Sequence, residues 1–256
     1  MTKRNKMADY PIKHLSFSSM NLYSNCPQSW YGRYVDQLRD PTSPEAQFGI
    51  DFEAALAQQI GFDVQETEEN PETGELEIIE KTFNSDMEKN VGIYLNHEKA
   101  WQSATDYQKK IEITPEHFKW LADKFDVKGS IPLPFIGYID FMEKDTAIMD
   151  LKTSKRSGWK PQWGYQMIPY MLAEEIAMGE IHQFVRTKTP KTLFYALIMN
   201  EGLAQTVLNW MSNQAKGIKS LLDGESNPHT NNGWMCGYCA VKNCKARDFN
   251  DVPALG

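Results

Sequence analysis

Apolar and polar positions change period several times along the chain, and each change marks an expected element. Leu22, Tyr23, Cys26, Trp30 and Tyr34 recur at helical spacing behind a cap at Ser18 or Ser19, with Pro27 breaking or restarting the helix. Phe48 to Ile60, rich in alanine, predicts a second helix with Asp51 and Glu53 near its start. Asn70-Pro71-Glu72-Thr73-Gly74, between two β-prone runs, predicts an exposed hairpin within 61–84. Residues 85–110 read as a helix with Ile93, Tyr94, His97 and Trp101 on its apolar stripe. Thr114-Pro115-Glu116 starts another, ending near Lys124. Pro161 opens a helix to about Met178, kinked at Pro169. Thr192 to Met199 reads as the best buried strand, with Phe184 to Lys188 as its neighbour. Glu201 to Leu222 is a helix buried along Leu203, Val207, Trp210, Met211 and Ile218.

The stretch 135–153, FIGYIDFMEKDTAIMDLKT, predicts a β-hairpin turning near Glu143 to Thr146. Alternation puts Asp150 and Lys152 on one face, with Met149 and Leu151 on the other. The expected register sets Asp140 opposite Asp150, with Cβ atoms about 5 Å apart. Carboxylates that close raise each other's pKa unless a cation stands between them. A hard divalent ion with oxygen ligands resolves the repulsion; a surface hairpin with two solvated acids is the plainer alternative.

Composition admits a packed α/β domain. The 256 residues are 41% hydrophobic and 12% aromatic, and no apolar run is long enough to span a bilayer. The basic N-terminus lacks the apolar stretch of a signal peptide, which predicts a cytoplasmic protein and disfavours disulfides. The net charge of −7 argues against a nucleic-acid partner until it is located. Gln65 to Glu80 holds seven Glu and no base, equal to the whole net charge. Lys152 to Lys160, by contrast, carries four basic residues and no acid, and local fields steer a polyanion.

Cys236, Cys239 and Cys244 form a C-x2-C-x4-C cluster, a metal signal in an intracellular chain. The only other cysteine is Cys26. Together they suit one four-thiolate site stapling the N-terminal helix to the tail. Zinc and a [4Fe–4S] cluster both accept such ligands, and a small buried residue is the plainer reading of Cys26.

With those residues in view, the chain resembles the PD-(D/E)XK nuclease superfamily, nearest to RecB-type domains with an iron–sulfur staple, such as those of AddB and the Cas-four-type exonucleases. Ser16 to Tyr34 is similar to that family's opening motif, and Gly49 to Leu56 to its Gly-x-x-x-His helix. Gly137-Tyr138-Ile139-Asp140 and Asp150-Leu151-Lys152-Thr153 resemble its catalytic strands, and Gln166-x-x-x-Tyr170 its Gln-x-x-x-Tyr helix. Cys236, Cys239 and Cys244 resemble its terminal cluster cysteines. The family's metal-binding histidine is replaced here by Glu53, whose oxygen suits magnesium.

The resemblance implies an α/β fold with a restriction-endonuclease-like core, a central mixed sheet flanked by helices. Its expected parts are a flexible arm at 1–15, a helical part at 16–60 and an acidic, helical insertion at 61–130. The nuclease core would span 131–225 and the cysteine tail 226–256, all within one integrated domain. It implies a Mg2+- or Mn2+-dependent DNA exonuclease. Asp140, Asp150 and Glu53 would hold the ion, Lys152 would assist, and Gln166 and Tyr170 would line the site. Lys155, Arg156 and Lys160 would grip the DNA backbone. Trp159 and Trp163 either stack on bases or sit in the core. Cys26, Cys236, Cys239 and Cys244 would bind a [4Fe–4S] cluster, with zinc as the second choice. Expected partners are DNA with single strands or free ends and a recombination, helicase or annealing protein. The competing expectation is a catalytically silent nucleic-acid-binding or assembly module.

Overall fold

A computed structural model describes residues 10–39, 42–69, 76–97, 99–102, 104–231, 236 and 239–244. Seven helices and seven strands are assigned among them, in the order α1 (Phe17–Asn25), α2 (Pro27–Tyr34), α3 (Pro44–Gln59), β1 (Gln65–Glu69), β2 (Leu76–Glu80), α4 (Ser85–Leu95), β3 (Asp106–Ile113), α5 (Pro115–Lys124), β4 (Phe135–Glu143), β5 (Ala147–Ser154), α6 (Pro161–Ala173), β6 (Met178–Val185), β7 (Lys191–Ile198) and α7 (Glu201–Leu222). The main sheet has the order β3-β4-β5-β6-β7. It is mixed: β4 and β5 form an antiparallel hairpin, β5 and β6 run parallel, and β6 and β7 are antiparallel. The parallel pair needs a crossover, and α6 supplies it. This is the α/β architecture, a mixed central sheet flanked by helices, that the sequence led us to expect. No helix among the described residues is long and apolar enough to cross a membrane.

Contacts divide the chain into two units. One comprises Met1–Pro41, Ile111–Gly137 and Asn200–Gly256. Its α1 starts where Ser16 accepts a hydrogen bond from Ser19 N, and Pro27 at the first position of α2 separates the two helices. Trp30 is fully buried, with its indole N–H donating to Ser19 Oγ at 2.9 Å. Helix α7 packs on α1, with Tyr23 lying directly against Gly217. A Cβ at Gly217 would meet the Tyr23 ring. Gly217→Val is therefore expected to destabilise the protein by about 1–3 kcal/mol through overpacking. A thermal melt would show this as a clear drop in Tm, and an unchanged Tm would refute the close contact.

The second unit comprises Thr42–Lys110 and Tyr138–Met199. Its core joins α3, α4 and the sheet through Phe52, Leu56, Val91, Tyr94, Phe141, Met149, Leu151 and Phe184. Phe52 and Phe184 stack at 4.5 Å, an arrangement worth about 0.5–1.5 kcal/mol beyond burial. Helix α3 comes so close to β5 that a Cβ on Gly49 would lie 2.9 Å from Thr153 Oγ1. The fully buried His182 is bound on both sides, by Tyr94 Oη at 2.6 Å and Glu180 Oε2 at 2.8 Å.

Several expectations are corrected. Residues 85–110 are not one helix: α4 ends at Leu95, and 106–110 open strand β3. The pattern Lys110-Ile111-Glu112-Ile113 has period two, and only Ile111 and Ile113 are buried. The lysines of β3 suit a sheet edge. The helix from Pro161 stops at Ala173, and β6 occupies Met178–Val185 rather than Phe184 to Lys188. Pro169 lies inside α6 and is buried there. The apolar run at Thr192 is an edge strand, half-exposed along its length, whereas β5 and β6 are the buried ones. Helix α3 begins at Pro44 behind a Ser43 cap, so Asp51 and Glu53 sit in mid-helix, away from the N-terminal dipole. The hairpin expected around 61–84 forms as the antiparallel pair β1 and β2, while its turn at 70–75 lies outside the described residues. Residues 1–9 of the expected arm, and 232–235, 237–238 and 245–256 of the tail, lie outside them too.

Candidate active site

The hairpin of β4 and β5 pairs Phe141 with Met149 and Met142 with Ile148. The paired register ends at Phe141 and Met149, one residue short of Asp140 and Asp150. Asp140 Oδ2 accepts a hydrogen bond from Leu151 N at 2.7 Å. Lys152, two residues beyond Asp150 on the same face, reaches back to Asp150 Oδ2 at 2.6 Å. Its ammonium also donates to Gln166 Oε1 at 3.0 Å, and Gln166 Nε2 donates to Tyr170 Oη at 3.5 Å. Gln166 and Tyr170 share a face of α6 because they are one turn apart. The crossover helix thus covers the polar face of β5, and the aromatic core of α3 covers the opposite one.

Asp150 is 2% exposed; its Oδ2 is held by the Lys152 ammonium at 2.6 Å, and its Oδ1 is buried without a hydrogen-bond partner among the described residues. Burial pushes the Asp150 carboxyl up in pKa, against the pull of Lys152. Asp140 is held well above the usual aspartate range, first by burial and then by the charges of Glu53 and Asp150. Glu53 is raised by burial and by Asp150, with its bond to Gln108 opposing. Burial alone would lower the pKa of Lys152, but Asp150, Asp140 and Glu53 outweigh it and hold the value up. Three mutually repelling carboxylates therefore surround one fixed cation, which leaves the cluster short of positive charge.

Two neighbours of Glu53 were missed in the sequence. Gln108 donates from Nε2 to Glu53 Oε1, and the Tyr107 hydroxyl bonds Glu53 as well. Consecutive strand residues normally face opposite ways. Gln108 has φ +52, a left-handed conformation that turns its side chain to the same carboxylate. The period-two pattern of β3 was the available signal, and reading the segment as helix hid it.

The other expected residues lie elsewhere. Asp51 is committed to Lys81 at 2.9 Å. Lys155 and Arg156 are on the loop after β5, Lys155 paired with Glu45 at 2.6 Å, and Lys160 lies over the Trp163 ring. Trp163 is buried and belongs to the core, while Trp159 is 40% exposed. Cys26, Cys236, Cys239 and Cys244 are in the other unit. There the tail meets the junction of α1 and α2: Gln28 N donates to His229 O, Asn231 Nδ2 to Asn25 O, and Cys239 Sγ lies 3.4 Å from Ser29 Oγ. Among the described residues no group of three or more His, Cys, Asp or Glu side chains is arranged around a single metal position. The acidic cluster nevertheless fits a divalent ion by its chemistry: all its candidate ligands are oxygens, and Asp150 Oδ1 is buried without a hydrogen-bond partner among the described residues.

A family model for the PD-(D/E)XK nuclease superfamily matches residues 14–244. The chain belongs to that superfamily and is a nuclease. A solved structure from Eubacterium rectale, provisionally described as an exonuclease, is similar in fold, with a TM-score of 0.59 at 13% identity over 99% of this chain and 94% of that one. LHK-Exo, solved in complex with dAMP, gives a TM-score of 0.46 at 10% identity over 84% of this chain and 92% of that one. No curated protein sequence matches significantly.

Proposed function

We propose that the chain is a Mg2+- or Mn2+-dependent deoxyribonuclease acting as an exonuclease, with Glu53, Asp140 and Asp150 as metal ligands. The buried Asp150 carboxylate, whose Oδ1 has no hydrogen-bond partner among the described residues, carries this reading. A divalent ion there would polarise the scissile phosphate and acidify a water. Lys152 stays cationic and is fixed between Asp150 and Gln166, where it orients the attacking water and stabilises charge on the phosphate. Gln166 holds the lysine, and Tyr170 holds Gln166 while burial keeps its hydroxyl protonated. Gln108 and Tyr107 fix Glu53. Lys155, Arg156 and Lys160 serve the DNA backbone. The resemblance to RecB-type nucleases supports DNA ends as substrate, within recombination, repair or phage or CRISPR DNA processing. The same resemblance supports a helicase or annealing partner. Linear and circular DNA separate the modes: an exonuclease degrades the linear form and spares the circle, whereas cutting of the circle would replace this reading with an endonuclease.

The cysteines are read as a [4Fe–4S] staple, supported by the meeting of the tail with the segment that carries Cys26. Protein purified without oxygen is expected to be brown, to lose its visible absorbance on reduction, and to lose colour and thermal stability in Cys26→Ser. A colourless protein with bound zinc would make the staple a zinc site; no metal of either kind would remove it.

A further inference from the structure

Strands β5 and β6 run parallel, with Ser154 paired to Val185, so Lys155 and Arg186 follow at their carboxyl ends. Ligands of α/β sheets commonly bind at such ends. Here they line a cleft of about 500 Å³ together with Phe48, Asn84, Asp86 and Asn90. The Arg186 guanidinium lies 3.9 Å from the centre of the Phe48 ring, which itself stacks on Phe52 at 5.8 Å. Arg186 is thus held over an aromatic support and makes no ion pair among the described residues. Among the described residues Lys155 is paired only with Glu45, and both side chains are more than half exposed, so a phosphate can replace that partner. Asp86 is the one acid of the lining and offsets part of the positive charge.

The loop between these cations and the candidate active site is built from within. Gln183 is fully buried and uses both ends of its amide. Its Nε2 donates to Ser154 Oγ and Arg156 O, each at 2.8 Å. Its Oε1 accepts from Gly158 N at 3.1 Å and Tyr195 Oη at 3.2 Å. Arg186 N donates to Ser154 O at 2.7 Å, tying the two strand ends together. Lys155 follows Lys152 by three residues, roughly 10 Å of strand.

We propose that this cleft is a phosphate subsite for the nucleic-acid strand, with Arg186 and Lys155 as its cations and Gln183 as the residue that positions the loop. It rests on the nuclease reading and adds a second grip on the substrate, away from the bond that is cut. Phosphate oxygens are the chemistry recognised, whether from an internal phosphodiester or from a terminal phosphate.

The test is binding of a fluorescent thymidine oligonucleotide to the full-length protein in chelator, across a range of salt. Each phosphate contact on a single strand contributes about 0.7 to the slope of log affinity against log salt. Arg186→Ala and Lys155→Ala are each expected to weaken binding several-fold and flatten that slope by about this amount. Gln183→Leu is expected to weaken binding too. Lys155 is exposed, so its variant tests the site even if Arg186→Ala fails to fold. A loss confined to oligonucleotides with a 5′-phosphate assigns a terminal phosphate; an equal loss with a 5′-hydroxyl assigns the internal backbone. Wild-type cleavage with unchanged affinity and slope in both alanine variants overturns the subsite alone. A wild type that neither binds nor cleaves DNA overturns the nuclease reading, and the subsite with it.

Discussion

Lys152→Ala is expected to lower the rate of DNA cleavage by about 10²–10³-fold, the usual cost of removing one preorganised charge-stabilising donor. The loss should fall on turnover more than on substrate affinity, because the ammonium acts where charge develops. Its position is defined on two sides, by Asp150 at 2.6 Å and Gln166 at 3.0 Å, so little reorganisation is needed during reaction. Gln166→Ala should therefore reproduce part of the same defect. DNA binding in chelator should survive in both. Single-turnover cleavage beside a binding titration checks this, and an unimpaired Lys152→Ala would remove the lysine from the mechanism.

Asp140→Asn is expected to stabilise the metal-free protein while abolishing its response to metal. The aspartate is buried beside Glu53 and Asp150, and all three carboxyls are raised in pKa. An amide oxygen can still accept the bond from Leu151 N while carrying no charge. A raised folded-state pKa means that the native protein keeps a proton which the unfolded chain releases. Stability from this group is therefore complete below the ordinary aspartate value of 3.8 and is lost as pH rises through the folded value. Relative to Asp140→Asn, the wild type should weaken from about pH 4 upward. At neutral pH the variant should gain about 1–2 kcal/mol, the scale of relieved strain at active sites. For a chain of this length that is about 2–4 °C in Tm per kcal/mol. Mg2+ or Mn2+ should raise the Tm of the wild type and leave the variant unchanged. Parallel pH profiles, or an equal metal response, would contradict the electrostatic account.

The strands that carry the acids were legible because their signals are local. Alternation fixed the shared face of Asp150 and Lys152, and the turn at Glu143 to Thr146 fixed the level of Asp140. Gln166 and Tyr170 were legible as a pair one turn apart on a helix, although only folding brings that helix over Lys152. The first half of strand β3 was not legible, because Tyr107, Gln108, Lys109 and Lys110 make a polar edge, and the period-two signal begins only at Lys110-Ile111-Glu112-Ile113, after helical spacing upstream has run into the strand. The partners of Glu53 were hidden with it. The strongly apolar Thr192 run invited burial, yet apolar composition does not place a strand within its sheet, and this one took the edge. His182 and Gln183 gave no local sign either. Besides Glu180 on their own strand, their partners include Tyr94 on α4 and Ser154 and Arg156 at the end of β5, brought to them only by folding.

The central claim is that the Asp140, Asp150, Glu53 and Lys152 cluster hydrolyses DNA with a divalent ion. Its most direct test is incubation of oxygen-free protein with end-labelled single-stranded and duplex DNA in Mg2+, Mn2+ or chelator, with Lys152→Ala alongside. The account predicts degradation in metal, none in chelator, and loss in the variant, with the product ladder giving polarity. DNA that is bound but uncut with every metal would contradict it, and would leave a binding module whose active site is silent.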